Sequence, residues 1–403
     1  MSITNINMSK NLKLIPIWTI IVAMTTFFKF ASNGPMNHIL IAIMYSTPFL
    51  LILQYPYIKR SEFPIFLLLI FMVIAAALNL KSLRFSTLFY SLMFIATFLY
   101  YWRNVKTLPL SKESYLKIVK FLFYTFFIVL IFQQISDLLN VPIFNYRVPI
   151  SEIIKYNSLA SEPSYYGKII VLLMLSFLTI REIEINRQYS INKDIKNDKI
   201  IWIIFFYQII VSGSSFAILL LAILLFRYVN KKYFLSVLLI IIFSVFIIIV
   251  LSKESIVIQR ILKMSQSVFS FNEEEIFKAD TSGAFRIVPT IRYIKEFDFF
   301  NLKTWFGFGI DFTRNHLLYL HPAVNPETGF YVGLFPAFIW DFGVISTIIL
   351  MFIVFKYAIY NLSDFVIWFV ISLDAPFNTQ LFWITLMLMA TNKYLKRKHL
   401  LSK

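Results

Sequence analysis

The sequence predicts an all-α membrane protein: a polytopic bundle of about 12 transmembrane helices with a large, partly helical outer loop. Of its 403 residues, 59% are hydrophobic and 15% are charged, and the mean hydropathy is +0.74. Soluble domains carry about 25% charged residues. The apolar residues form long unbroken runs, such as Phe234–Leu251 and Phe342–Phe355, rather than the short alternating strands of a membrane barrel. The basic residues concentrate in the short connections between these runs.

The apolar runs predict the individual helices, because a bilayer core of roughly 30 Å needs about 20 apolar residues per helix. The predicted helices are Leu12–Phe30, His38–Tyr55, Phe63–Leu80, Phe85–Tyr101, Ile118–Asn140, Tyr166–Ile183, Ile200–Val211, Ser214–Val229, Phe234–Ser252, Gly329–Tyr360, Asp364–Asp374 and Phe377–Tyr394. They divide the chain into residues 1–252 with nine helices, a loop over residues 253–328, and residues 329–403 with three helices. We expect the first run to be a retained helix, because no small-residue cleavage site follows it.

The distribution of Lys and Arg predicts the orientation. With the N-terminus inside, the inner connections carry 23 Lys and Arg residues, and the outer ones, apart from the long loop, carry six. The positive-inside rule therefore predicts that both termini are cytoplasmic and that the long loop lies outside. A net charge of +17 would suggest nucleic-acid binding in a soluble protein. Here the membrane topology explains this charge, so we expect no nucleic-acid partner.

The residue types exclude several kinds of chemistry. The chain has no cysteine, and its four histidines do not stand in zinc-ligand spacing, so we expect no disulfide and no metal site. The inner connections contain no phosphate-binding glycine loop and no dinucleotide fingerprint. We therefore expect no soluble cofactor, and chemistry on the outer face with a substrate that is already activated, such as a sugar on a lipid diphosphate.

The long loop, Lys253–Thr328, is the first place where such chemistry is expected. It carries nine basic and nine acidic residues among aromatic ones, which is typical of a folded unit rather than a disordered tether. Apolar spacing predicts two amphipathic helices, Ile256–Phe269 and Val288–Phe299, and the segment Thr281–Arg286 is expected to open the second one.

Arginines of this loop are candidates for holding a diphosphate, because the guanidinium offers paired donors in a fixed fork. Arg286 is the main candidate, with Arg292 as a second one. The alternative is that both are surface arginines balanced by Glu296 and Asp298.

The segment Trp305–Asp311 contains Gly307 and Gly309, two of only nine glycines in the chain. Glycines let the backbone approach a ligand closely, and the ring of Trp305 could stack on a sugar face. The alternative is a tight turn packed on the bundle.

Histidines follow this segment, near Arg314, which is a further candidate for binding the substrate. His316 or His321 could act as a base on an acceptor hydroxyl or could pair with a phosphate oxygen. The choice between the two stays open, and the alternative for both is a solvated loop histidine.

The smaller outer loop offers Glu162, in the segment Ser161–Ser164, and a further cation, Arg147. Ser161 or Glu162 is expected to cap the next helix, with Pro163 in its first turn. The functional interpretation makes Glu162 a carboxylate at the mouth of the bundle.

The apolar run after the long loop contains one carboxylate. Pro336 and Gly343 flank Asp341, so we expect a broken helix that brings Asp341 near the outer interface. A carboxylate inside the membrane would be a functional candidate, whereas one at the interface is a weaker one.

In order and spacing, these features resemble the O-antigen polymerase (Wzy) family, within the superfamily that also holds the O-antigen ligases. The resemblance covers nearly the whole chain as an architecture of many helices with one large outer loop before the last few. The segments that carry it are Ser161–Ser164, Ser212–Ser215, Ser282-Gly283, Arg286, Gly307-Phe-Gly309, His316 or His321, and Gly329.

The resemblance implies a multi-pass glycosyltransferase of the bacterial inner membrane that acts in lipopolysaccharide biosynthesis. It would move a growing polysaccharide from undecaprenyl diphosphate onto a lipid-linked repeat unit, with a chain-length regulator protein as a further partner. Arg286 and Arg147 would hold diphosphates, and a histidine or Glu162 would assist the acceptor hydroxyl. The alternatives are a ligase of the same superfamily and a flippase or transporter of lipid-linked sugars.

Overall fold

The computed structural model describes residues 38–80, 84–108, 110–145, 156–228, 266–267, 271–279, 281–317 and 332–402, together with Ile17 and Ile21. Within these ranges the chain forms helices and their connections and no strand, so the all-α prediction is confirmed there. Most of the predicted helices Leu12–Phe30 and Ile256–Phe269, and the whole of Phe234–Ser252, lie outside the described residues.

Fifteen α-helices lie in the described ranges, with a short 3₁₀ turn at Arg60–Glu62. They are α1 His38–Gln54, α2 Phe63–Leu78, α3 Phe85–Thr107, α4 Lys112–Leu138, α5 Pro163–Ile185, α6 Ile191–Asp194, α7 Lys199–Ser212, α8 Ser215–Tyr228, α9 Glu273–Ala279, α10 Thr281–Glu296, α11 Leu302–Phe306, α12 Phe312–His316, α13 Leu334–Tyr357, α14 Leu362–Ser372 and α15 Gln380–Leu401.

Two helices run past the ends of their predicted apolar segments. Helix α3 continues from the predicted end at Tyr101 to Thr107, and α15 continues from Tyr394 to Leu401. The added turns are rich in Lys and Arg, which form helices readily and interact favourably with the helix C-terminus. Hydropathy marks the membrane-compatible part of such a helix, not its end.

Within the part of the chain that the structure describes, four helices are long and apolar enough to cross a membrane: Arg60–Leu78, Phe85–Thr107, Lys112–Leu138 and Leu334–Tyr357. Shorter apolar helices are Leu40–Gln54, Lys199–Ser212, Phe216–Tyr228 and Leu362–Ser372. Large apolar side chains on these helices point outward, with exposed fractions of 62% at Phe132, 75% at Ile210 and 56% at Phe352. Such a surface is unfavourable in water and suits lipid.

Contacts between helix ends define two ends of the bundle. At the end that we call the loop end, Asn79 Nδ2 donates to the Gly307 carbonyl at 3.3 Å, and Lys168 pairs with Asp374. At the opposite end, called the basic end, Tyr357 OH donates to the Ser61 carbonyl at 2.8 Å. The helix termini at the basic end are Phe63, Thr107, Lys112, Ile185, Lys199, Tyr228, Tyr357, Leu362 and Leu401.

The core of the bundle centres on α5, which packs against α4, α7, α8 and α15. Residues Tyr166–Ile180 of α5 are buried without interruption, and most of α15 is buried as well. A helix buried on all faces needs apolar or internally satisfied side chains throughout. Any charged group on α5 therefore needs a partner within the bundle.

The long loop forms four short helices in its described part, α9 to α12, and α10 packs on α9 and α13. The prediction that Thr281–Arg286 opens a loop helix is confirmed, because α10 begins at Thr281. The predicted bounds Val288–Phe299 are wrong at both ends. Helix α10 spans Thr281–Glu296 and contains Pro289 in its interior.

Candidate active site at the loop end

A break in α13 receives the glycine turn of the long loop. Gly343 has φ 82° and ψ 170°, so the helix is interrupted there, as Pro336 and Gly343 predicted for the run around Asp341. The turn supplies hydrogen-bond donors next to the break: Phe308 N donates to Trp340 O at 2.8 Å, and Gly309 N donates to Asp341 O at 3.2 Å. Buried carbonyls near a broken helix thus keep their partners.

Backbone meets backbone at this crossing. A Cβ atom on Gly307, which has φ +99°, would collide with the Asp341 carbonyl oxygen. A Cβ atom on Gly343 would collide with the Trp305 carbonyl. The two segments can approach this closely only because both positions lack a side chain.

The crossing brings two carboxylates together. Asp341 Oδ1 accepts from Thr313 N at 2.8 Å and from Thr313 Oγ1 at 2.7 Å, near the start of α12. Asp311 Oδ2 accepts from Thr87 Oγ1 at 2.8 Å and lies 3.7 Å from Arg84 Nε. Burial raises the pKa of the Asp311 carboxyl above its ordinary value, although the Thr87 hydrogen bond opposes the rise.

A cavity of about 60 Å³ lies beside both carboxylates. Its lining residues are Thr87, Ser91, Asp311, Ala337, Phe338, Asp341, Phe342, Pro376, Phe377 and Asn378. This volume is large enough to hold water, since about 10–15 Å³ of such space is enough for one molecule. Carboxylates beside such a space can accept a proton from a hydroxyl group that enters it.

A buried ion pair lies next to this cavity. Lys168 on α5 is fully buried and pairs with Asp374, whose side chain is 19% exposed. The ammonium also lies 4.8 Å from the Phe216 ring centre and 5.3 Å from the Tyr165 ring centre. The connection between α14 and α15 joins the two features, because it carries Asp374 and also the cavity residues Pro376–Asn378.

The described part of the long loop packs on Trp340 of α13. Tyr293 of α10 meets the Trp340 ring edge-on at 5.4 Å, and His316 meets it at 5.6 Å. Burial raises the pKa of Tyr293 to about 12, so its hydroxyl stays protonated at neutral pH. Helices α10, α12 and the glycine turn therefore form one unit with the broken helix.

His316 is held in place by neighbours on two sides. Its Nε2 lies 2.7 Å from Glu296 Oε2, and its ring stacks on Phe312 at 4.8 Å. Glu296 also lies 3.7 Å from Arg292, which lies 3.5 Å from Glu273. This arrangement agrees with the alternative in which Arg292 is balanced by glutamates, and it gives His316 a carboxylate that can orient its ring.

The aromatic residues of the glycine turn pack on the protein. Phe306 stacks on Phe71 with ring centres 6.3 Å apart, and Phe308 stacks on Phe312 at 4.8 Å. Trp305 Nε1 donates to the Phe299 carbonyl at 2.9 Å. The alternative of a tight turn packed on the bundle therefore describes the fold of this segment.

Glu162 occupies the N-cap position of α5 and Pro163 the first helical position, as the sequence predicted. The Glu162 side chain accepts no capping hydrogen bond from the first turn. Gly167, one turn further, packs on Ala217 and Ser212. The two segments Ser161–Ser164 and Ser212–Ser215, far apart in sequence, thus belong to adjacent helices.

The remaining predicted site residues divide into two groups. Arg286 lies in the second turn of α10, and Arg314 lies on α12 two residues before His316. Arg147 and His321 lie outside the described residues. The predicted roles of all the site residues remain predictions.

Sequence reasoning gave little or no weight to four residues of this site: Asp311, Thr313, Lys168 and Asp374. Lys168 is one of the six outer Lys and Arg residues, and Asp374 ends the predicted helix Asp364–Asp374 on the outer side. The signal that marks Lys168 is a single charge within the long apolar run Tyr166–Leu178. Asp311 and Thr313 carry no such signal, because their importance depends on the crossing with α13.

The described chain is an all-helical protein with four helices able to cross a membrane and with a polar site at the loop end. No family model, curated protein or solved structure matches it.

Proposed function

We propose that this chain is a membrane glycosyltransferase, a polysaccharide polymerase of the O-antigen type in the bacterial inner membrane. It transfers a growing glycan from undecaprenyl diphosphate onto a lipid-linked repeat unit at the outer face. The observation that supports this most is that α10, the glycine turn and His316 all contact Trp340. Features spread over the segment Thr281–His316 thus meet beside the broken helix α13.

Each group has a role in this proposal. Arg286 and Arg147 hold the diphosphate, whose negative charge grows as it leaves the sugar. A base on the acceptor hydroxyl comes from His316, which Glu296 orients, from His321, or from Glu162. Asp341 and Asp311 line a cavity at the same end and form a second place where a hydroxyl proton could be accepted.

A topology of twelve spans with both termini in the cytoplasm belongs to the same proposal. It requires the loop end to face outward, where an energised lipid-linked sugar is accessible. Because the chain has no cysteine, single cysteines report the side directly. In intact cells, a membrane-impermeant maleimide should label Lys303→Cys in the loop and leave Lys398→Cys at the basic end unlabelled. The reverse labelling pattern would place the loop end in the cytoplasm, away from the lipid-linked sugar, and would contradict the proposal.

The decisive test of the function is a gene deletion read as a glycan ladder on a gel. We expect single repeat units on the surface glycolipid and no long chains. Loss of all surface repeats, with lipid-linked units trapped inside the cell, would indicate a flippase. Long chains that remain on the lipid carrier would indicate a ligase.

The strongest single substitution for this test is Arg286→Ala. We expect chain growth to fall by at least about 100-fold, because removing one stabiliser of transition-state charge commonly costs that much. Lys295→Ala is the matched control, because it removes a half-exposed cation from the same helix. Unchanged chain lengths in Arg286→Ala, at equal protein level, would exclude Arg286 from the site.

A further inference from the structure

A cleft of about 820 Å³ opens at the basic end, remote from the candidate active site. It lies between the ends of α5 and α15, the end of α8 and the beginning of α14, and residues from all four helices line it. Among the described residues it is far larger than the cavity at the loop end. The proposed function assigns no role to it.

One wall of the cleft carries positive charge. Arg187, Arg227 and Lys396 line it, together with His399 and one carboxylate, Glu182. Arg187 is 47% exposed, and Lys396 is 15% exposed. The last ten residues of α15 carry further basic residues and no acidic ones. Helix α14 adds the positive end of its dipole, because its first residues Leu362 and Ser363 also line the cleft.

Carboxylates hold these cations in position. Lys396 Nζ donates to Glu182 Oε2 at 2.5 Å, and Arg227 pairs with Asp364 and lies 3.8 Å from Glu182. Arg187 donates to both oxygens of Asp194 at 2.6 and 2.8 Å. An arginine has five N–H donors, so a fixed guanidinium keeps donors for a second anion. The rim of the cleft therefore carries hydrogen-bond donors that the carboxylates hold in position.

The other wall is apolar. Ile183, Ile223, Phe226 and Val366 line it. Two leucines at the cleft, Leu362 and Leu400, are 76% and 54% exposed. Free phosphate or an acidic peptide would leave this apolar wall unused. A phosphate that carries acyl chains would use both walls.

We propose that the cleft binds the phosphodiester headgroup of an anionic phospholipid from the leaflet at the basic end. The phosphate contacts Lys396 and Arg187 at the rim, and an acyl chain runs along Val366 and Ile223. Positive charge at a membrane surface attracts anionic lipids in any case. The built donor set and the apolar wall make this a specific site. The proposal does not depend on the proposed glycosyltransferase activity.

The test is native mass spectrometry of the full chain in detergent, titrated with phosphatidylglycerol or with phosphatidylcholine of the same acyl chains. The cleft variant is Arg187→Gln with Lys396→Gln. The control, Lys117→Gln with Lys398→Gln, removes the same charge from exposed positions outside the cleft. We expect phosphatidylglycerol affinity to fall at least about tenfold in the cleft variant only, since loss of one charged hydrogen bond can cost that much.

A second variant keeps the test decisive if the charge variant is unstable. Val366→Trp fills the apolar wall and leaves every charge in place, and we expect it to weaken phosphatidylglycerol binding as well. Equal losses in the cleft and control variants would overturn the proposal in favour of general surface charge. Undiminished binding in Val366→Trp would overturn the acyl-chain contact, and competition by millimolar inorganic phosphate would indicate a free-anion site instead.

Discussion

The two ends of the bundle treat buried carboxylates differently. At the basic end, Glu62 pairs with Arg103, and both side chains are 2% exposed. Glu182 and Asp364 likewise face cations. At the loop end, Asp341 is held by the hydroxyl and amide of Thr313 and borders a cavity. The buried carboxylates Glu62, Glu182 and Asp364 at the basic end are therefore paired with cations within the fold, whereas Asp341 at the loop end is held by a hydroxyl and an amide beside a cavity.

The loop end also contains an ion pair, Lys168–Asp374, but that pair differs in position. Asp374 is 19% exposed and belongs to the connection that lines the cavity, whereas the Glu62–Arg103 pair is closed to solvent. In this protein, a buried charge therefore has a structural role where its partner encloses it. It indicates a site where polar neighbours leave room beside it.

The largest effect is expected from breaking a closed pair. Glu62→Leu leaves the Arg103 guanidinium buried without its carboxylate and should lower stability by about 3–5 kcal/mol. Replacing both residues, as Glu62→Leu with Arg103→Met, should recover a large part of that loss. The measurement is the apparent melting temperature of the purified protein in detergent.

Glu113→Gln provides the control for this prediction, because Glu113 is 59% exposed and lies 3.8 Å from Lys112. Exposed pairs contribute about 0–1 kcal/mol. If the double variant Glu62→Leu with Arg103→Met is as unstable as Glu62→Leu alone, the pair does not lie in an enclosed apolar environment.

An intermediate effect is expected at the backbone crossing of the loop end. Gly307→Ala should lower stability by about 2–4 kcal/mol, because it adds positive-φ strain and a clash with the Asp341 carbonyl. Gly213→Ala is the matched control, because φ is also positive there, at +55°, but the residue is exposed. It should cost about 1 kcal/mol. Equal melting temperatures for the two variants would mean that the crossing is not tight.

The smallest effect on stability is expected from removing one hydrogen bond to the Asp341 carboxylate. Thr313→Val removes the 2.7 Å hydrogen bond to Asp341 and keeps the backbone one. It should cost about 1–2 kcal/mol and should lower chain growth more than stability alone explains. Thr125→Val, which removes a hydrogen bond to the Phe121 carbonyl at an exposed position, is the control. If both variants polymerise equally well, Asp341 has no role beyond folding.

Particular residues show how far sequence reasoning reached at the site. Pro336 and Gly343 correctly predicted a broken helix around Asp341, because proline lacks an N–H donor and glycine adopts a positive φ readily. Pro163 correctly predicted the start of α5. Apolar spacing alone placed the second loop helix at Val288–Phe299, whereas α10 spans Thr281–Glu296. Packing of α10 on α9 and α13 decided the case.

The sequence by itself determined the class of protein, the approximate helices and the concentration of basic residues at one end. These properties follow from local composition, since each apolar run must satisfy its own backbone hydrogen bonds wherever it lies. Tertiary structure alone decided that Gly307 meets Asp341 and that Lys168 meets Asp374. Such pairs join residues 34 and 206 positions apart, and no local pattern specifies which distant segment will lie beside a given side chain.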